Sequence, residues 1–190
     1  MSVCIAAICG SNTRIIAACD TKASGEQSSN ELAALKGIWV AERWLAMYAG
    51  GDISPCIPIC RAVERKIKGI PSKELTVETM TRAFESSYQE YLSNLAAAKV
   101  LGRWKLTMEQ FYATGLKKLG ADVFDSYCNQ IDQVRLQCQF LVCGFDGESK
   151  PHLFSVRNPG IAENRDTPGY WAIGDGDFGA MSTWEFFIRA

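Results

Sequence analysis

Three residues near the start of the chain, Ser2, Asp20 and Lys36, have the types needed for hydrolytic chemistry. Ser2 follows the initiator methionine, and its small side chain permits removal of Met1. Removal leaves one residue carrying both a hydroxyl and a free α-amine. An α-amine has a pKa near about 8, so much of it is neutral at pH 7. A neutral amine beside its own hydroxyl is a built-in general base. Lys36 follows Asp20 by sixteen positions. A nucleophile, an acid and a lysine at adjacent strand ends make a hydrolytic site. The same residue types also make a capped strand with surface charges, and taken alone they favour that plainer reading.

The elements that must position these residues are two short apolar runs, Val3–Cys9 and Ile15–Cys19, around the turn formers Gly10-Ser-Asn-Thr13. Such runs predict a β-hairpin. They are almost continuously apolar, which predicts strands covered on both faces. Asp20 ends the second strand and so lies beside the start of the first. Lys22–Leu35 is small and polar and reads as a loop with room for a short strand. Lys36 opens the apolar run Gly37–Ala41, and Trp44–Ala49 is its partner, closed by Gly50-Gly51-Asp52.

Pro55 and Pro58 suit a helix start. Cys56, Cys60, Val63 and Ile67 form one helical stripe, stopped by Gly69 and Pro71. A second helix runs from about Leu75 to Leu101, with Met80, Phe84, Tyr88, Tyr91 and Leu95 on one face. That aromatic stripe reads as core or subunit interface. Thr107-x-x-Gln110 resembles a capping box before a helix over Phe111–Leu119, which Gly120 closes. Asp122–Ile131 predicts a further short helix. Gln137–Phe145 and Pro151–Val156 read as a hairpin about Asp146–Ser149, with His152 an ordinary strand residue. Arg157–Pro168 reads as a loop, Tyr170–Gly174 as a short strand, and Gly174–Gly179 as a glycine-rich loop before a helix from about Ala180.

At 190 residues the chain predicts one domain, 1–190, able to bury its own core. Hydrophobic residues make up 47% and charged residues 22%, with a net charge of −1. There is no basic excess to attract nucleic acid and no apolar run long enough to span a membrane. The start of the chain lacks the basic region of a secretory signal, so the expected location is the cytoplasm. Five of the eight cysteines, Cys4, Cys9, Cys19, Cys138 and Cys143, sit in strand-like runs where cysteine behaves as a small hydrophobe. Reduced thiols are the expectation. With no Cys-x-x-Cys pair and a single histidine, no metal site is expected. The Gly174–Gly179 loop lacks the Gly-Lys-Ser/Thr ending of a phosphate loop and carries Asp175 and Asp177, so no nucleotide cofactor is expected.

The chain resembles the proteasome-type branch of the N-terminal-nucleophile (Ntn) hydrolases. The residues that carry the match are Ser2-Val-Cys-Ile-Ala-Ala, Ile15-Ile-Ala-Ala-Cys-Asp20, Lys36 before an apolar strand, and Tyr48-Ala-Gly-Gly-Asp52 before a helix. Later come Phe140-Leu-Val-Cys-Gly-Phe-Asp146, His152-Leu-Phe-Ser-Val156 and Trp171-Ala-Ile-Gly-Asp-Gly176. It looks closest to bacterial proteasome β-subunit-like proteins that begin with Thr or Ser after Met. The resemblance implies an α+β fold, the four-layer α-β-β-α sandwich, here C-terminally shortened and with a helical insertion at about 101–133. It implies Ser2 as nucleophile, Lys36 lowering the hydroxyl pKa by its charge, and Asp20 holding Lys36 charged. It also implies a backbone N–H for the oxyanion. Counting from Lys36 places that donor at Gly50, the preferred position, and counting back from Asp52 places it at Tyr48. Where the family carries a serine in its Gly-x-Gly loop, this chain has Asp175. An aspartate there can orient the α-ammonium, but it raises the amine pKa and weakens it as a base.

The implied activity is cleavage of a peptide or small amide with no cofactor, in a homo-oligomer whose contacts come from helices 55–69 and 76–101. Two other readings stand beside it. One is a catalytically inactive proteasome-like scaffold or partner-binding subunit. The other is a small-molecule binding domain using the Asp175 loop. An intact Met1 would block the amine and favour the scaffold.

Overall fold

The computed structural model of the chain describes residues 3–20, 23–24, 29–30, 36–177 and 179–181. Its centre is an antiparallel five-stranded sheet. The strands are β5 (Gly37–Ala41), β6 (Trp44–Gly50), β7 (Cys138–Phe145), β8 (Pro151–Arg157) and β9 (Ile161–Asn164), in that spatial order. A three-stranded sheet lies against one face, with β1 (Cys4–Cys9) between β2 (Arg14–Cys19) and β10 (Tyr170–Ile173). Two two-residue strands, β3 (Ala23–Ser24) and β4 (Ser29–Asn30), pair within the expected 22–35 loop.

The period-two alternation of a strand explains how one sheet faces two cores. Trp44, Ala46 and Tyr48 of β6, with Phe140, Val142, Phe154 and Val156, point to the helices. Met47, Ala49, Leu141, Cys143 and Leu153 point the other way, onto Cys4, Ala6 and Ile173 of the small sheet. Both faces of the central strands are therefore apolar, which gives the nearly continuous hydrophobic runs.

The helical layer is α1 (Cys56–Ile67) and α2 (Val77–Ala96). α1 buries Cys56, Ile59, Cys60, Val63 and Ile67, one stripe at helical spacing. The Thr76 hydroxyl caps α2 by accepting from the Thr79 N–H at 3.2 Å. Phe84 packs on Phe140 and Phe154 with ring centroids 5.6 and 5.8 Å apart. The Tyr88 hydroxyl donates to the Cys138 carbonyl at 3.2 Å. Beyond a wide helical turn at Ala97–Leu101 come α3 (Met108–Leu119) and α4 (Ala121–Gln133). The Thr107–Gln110 capping box is complete, with both bonds at 3.1 Å. Here Phe111, Leu101, Ala96 and Ile131 form a separate small core.

The structure corrects three expectations about these elements. Arg157–Pro168 is not all loop, because β9 pairs with the open edge of β8. Among the described residues β2 is an edge strand covered on one face only, and it leaves Ile16 58% exposed. The second helix ends its α-helical hydrogen bonding at Ala96, five residues early. Of the two readings of the aromatic stripe, core or subunit interface, Phe84 and Tyr88 take the first, buried in the chain's own core. The helix expected from Ala180 is seen only in its first residues, 179–181; residues 182–190 lie outside the described ones.

Phe140 stands where Tyr48, Phe84 and Tyr88 converge on it. Phe140→Ala is expected to cost about 3–5 kcal/mol in chemical denaturation, the usual range for deleting a buried aromatic ring. Tyr112→Ala, at a position 53% exposed, is expected to change stability by less than about 0.5 kcal/mol.

Candidate functional site

The hairpin of β1 and β2 sets the site. Cys4 pairs with Cys19, so Val3 stands opposite Asp20. The Asp20 N–H donates to the Val3 carbonyl at 3.0 Å, and the Val3 N–H donates to Asp20 Oδ1 at 3.1 Å. A side-chain oxygen thus takes the place of a ladder carbonyl at the strand end. Lys36 Nζ donates to the same Oδ1 at 2.7 Å. Asp20 and Lys36 are therefore brought together at the start of β1. Met1 and Ser2 lie outside the described residues.

Lys36 is 1% exposed. A buried ammonium requires a hydrogen-bonded counter-charge, and Asp20, whose side chain is 28% exposed, supplies one. Burial alone would push the Asp20 carboxyl up. The hydrogen bonds from Lys36 Nζ and the Val3 N–H, with the charge of Lys36, outweigh burial and hold it below the ordinary carboxylate range.

Tyr48 ties this corner to both sheets. Its N–H donates to the Lys36 carbonyl at 3.0 Å, and its carbonyl accepts from Cys4 Sγ at 3.4 Å. Its phenol, buried among the helices, is pushed up to about 12 by that burial. Because the Tyr48 N–H is occupied by the Lys36 carbonyl, Tyr48 does not offer a backbone donor here. Gly50 ends β6 opposite Cys138. It has φ +148°, and a Cβ there would fall 2.0 Å from the Gln137 carbonyl oxygen, so only glycine fits.

The Gly174–Asp177 turn leaves β10 beside the start of β1. A Cβ on Gly176 would sit 3.4 Å from Val3 Cβ, which puts the turn on Val3. Asp175 in this turn is exposed. The two ends of the glycine loop are joined by the Asp177 N–H donating to the Gly174 carbonyl at 3.1 Å.

His152 is not an ordinary strand residue. It is buried, stacks on Trp44, and places Nδ1 2.8 Å from Asp166 Oδ2 and Nε2 3.2 Å from Asp146 Oδ2. Burial would raise the Asp146 carboxyl, but the Lys150 N–H, the His152 ring and the Glu148 N–H outweigh it and lower it. Its level in the sheet is that of Trp44, whereas Lys36 is level with Tyr48. The separation along β6 is about 13 Å at 3.3 Å per residue, so this cluster is not part of the Lys36 corner. Sequence reasoning missed it because neither aspartate is near His152 in periodicity; only the fold joins them. Among the described residues no His, Cys, Asp and Glu side chains gather in a group able to hold a metal, and no helix is long and apolar enough to cross a membrane.

No family model matches the chain, and no curated protein matches it. Its structure is similar to the crystal structure of eukaryotic HslV from Trypanosoma brucei. The two share 15% sequence identity over 99% of this chain and 80% of that one, with a TM-score of 0.59. The fold is thus the α+β architecture of the proteasome-type Ntn hydrolases, as the sequence led us to expect.

The Lys36–Asp20 pair carries a pH signature. A carboxyl lowered on folding stabilises the protein above its unfolded value of about 3.9. That stability is lost as pH falls through the lower folded value. Asp20→Asn is expected to cost about 2 kcal/mol at pH 7. In urea denaturation the gap between variant and wild type should close as the pH is lowered below about 3.9.

Proposed function

We propose that the chain is a proteasome-like Ntn hydrolase that cleaves peptide or amide bonds with Ser2, exposed by removal of Met1, as its nucleophile. The observation that carries this reading is the buried Lys36 ammonium on Asp20, with the same carboxylate oxygen accepting from the Val3 N–H. Val3 directly follows Ser2 in the sequence, which supports the reading. The similarity to HslV supports the scaffold but not the activity.

In this reading the neutral α-amine of Ser2 takes the hydroxyl proton as Oγ attacks the amide carbon. Lys36 stabilises the negative charge that builds on Oγ, and Asp20 keeps Lys36 charged and in place. The tetrahedral oxyanion is met by the Gly50 N–H, since the N–H of Tyr48 is engaged with the Lys36 carbonyl. Collapse returns the proton from the amine to the departing nitrogen, breaks the C–N bond and leaves an ester on Ser2. The same amine then deprotonates the water that hydrolyses the ester. Asp175, on the turn that touches Val3, accepts from the ammonium form and raises the amine pKa, which moves the active range to higher pH. The working form is a homo-oligomer. Since Phe84 and Tyr88 are used internally, its contacts draw on surfaces other than that stripe.

The scaffold reading is favoured by one observation, Asp175 in place of the expected serine. Intact-mass analysis of protein from its native host separates the two. Loss of Met1 together with turnover of a fluorogenic peptide amide supports the hydrolase, and retained or acetylated Met1 in the isolated species refutes it. Ser2→Ala is expected to lower turnover by at least about 10³-fold while leaving the denaturation midpoint unchanged. Lys36→Ala should do the same to turnover, and the double variant should be no worse than either single one, because the residues act as a unit.

A further inference from the structure

We infer that Cys4 and Cys19 are a reversible oxidation site, closing to an intramolecular disulfide when a hydroperoxide reaches the exposed side of Cys19. The site rests on the strand register and stands independently of the hydrolase reading.

Cys4 and Cys19 are directly opposed in the β1–β2 ladder. The neighbouring Val3–Asp20 pair is the hydrogen-bonded kind, since the Asp20 N–H donates to the Val3 carbonyl at 3.0 Å. Cys4–Cys19 is therefore the next, non-hydrogen-bonded kind, with Cα atoms about 4.5 Å apart and side chains leaning together on one face. Disulfides span Cα separations of roughly 4.4–6.8 Å, so the bridge needs no large backbone movement. Both side chains lie on the inner face, Cys4 buried and Cys19 half-buried. Cys9, five residues from Cys4, points to the opposite face of β1 and is not placed to compete. A second close pair exists, with the thiols of Cys56 and Cys138 against one another. Both of these are buried, and neither offers an oxidant a way in.

The two thiols have different parts. Cys19, the accessible one, attacks the terminal peroxide oxygen as its thiolate; the O–O bond breaks, the alkoxide of the peroxide (hydroxide with hydrogen peroxide) leaves and takes up the thiol's proton, and Cys19 becomes a sulfenic acid. Cys4 then attacks the Cys19 sulfur, loses its proton and expels hydroxide, which that proton converts to water. Two thiols and one hydroperoxide thus give one disulfide, one water and the alcohol of the peroxide, or two waters with hydrogen peroxide. Burial pushes the Cys4 thiol up to about 12, with Cys19 adding to the rise, which leaves the first attack to the more accessible Cys19. Oxidation replaces the Cys4 S–H that donates to the Tyr48 carbonyl, so the contact tying the two sheets beside Lys36 is exchanged for a bond tying β1 to β2.

The test treats the full-length protein with hydrogen peroxide, blocks free thiols with N-ethylmaleimide and digests with trypsin. Cleavage after Arg14 and Lys22 frees residues 15–22, which contain Cys19 and no other cysteine. The expected result is the loss of two hydrogens and a 15–22 peptide linked to the peptide ending at Arg14. Dithiothreitol should abolish the link, and Cys9→Ser should retain it. The Cys4–Cys19 link should exceed any Cys56–Cys138 link by at least about tenfold, and Cys19→Ser should suppress it entirely. The inference is overturned if Cys19 is recovered only as its maleimide adduct or as sulfinic acid, if Cys56–Cys138 closes first, or if a Cys9→Ser protein shows no link to residues 15–22.

Discussion

The corner at the head of β1 depends on one electrostatic constraint. A lysine with 1% of its surface exposed has given up its hydration, and only a fixed negative partner makes that tolerable. Asp20 is that partner, and the geometry around it follows. Its carboxylate must stay at the end of β2, so it also accepts from the Val3 N–H and aligns the start of β1. The Lys36 backbone must stay at the head of β5, so its carbonyl accepts from Tyr48. Tyr48 in turn holds Cys4 across the sheets. Four strands, β1, β2, β5 and β6, are registered on one another through this set of bonds.

That arrangement requires the central sheet to be apolar on both faces. β6 carries Trp44, Ala46 and Tyr48 toward the helices and Met47 and Ala49 toward the small sheet. A one-residue slip of β6 would exchange these two sets and move the Tyr48 peptide away from Lys36 and Cys4 together. The close packing at Gly144, where a Cβ would meet the Arg43 carbonyl oxygen at 2.4 Å and the Trp44 ring at 2.5 Å, and at Gly50 against Gln137, pins β6 to β7 at both ends. The register of the core and the geometry of the corner are therefore one constraint.

Much of this was legible in the sequence because it is written in local patterns. The hairpins, the α1 stripe and the Thr107–Gln110 box are short-range features, and the structure shows each of them. The Asp20–Lys36 contact was legible because both residues sit at ends of recognisable strands. What escaped was set by long-range pairing. β9 has only four residues, Ile161–Asn164, between turn formers. It exists because β8 offers an open edge and because Glu85 of α2 accepts from the Ala162 N–H at 2.9 Å. Its charged Glu163 suits an edge strand and reads, locally, as loop. The exposure of β2 escaped for a related reason: an edge strand can be as apolar as a central one, and nothing in its own residues says which it is.

The buried lysine and the buried histidine also explain why composition alone misdirects. His152 and Lys36 each meet carboxylates, and by residue type the histidine is the more usual sign of chemistry. Their surroundings differ. Both ring nitrogens of His152 already face carboxylate oxygens, and its ring is stacked on Trp44. Asp166 further accepts from the Leu153 N–H at 2.7 Å, and Asp146 accepts from the N–H groups of Glu148 and Lys150. The donors and acceptors of that cluster bond to one another and to the backbone of the loops they organise. At the other corner Asp20 is about as exposed as Asp166, 28% against 26% of the side chain, but its bonds run to the start of β1 and to Lys36 rather than to a turn. The histidine cluster therefore fastens the 146–150 and 164–169 turns, and the lysine corner fastens the start of β1 to the end of β2 and the head of β5.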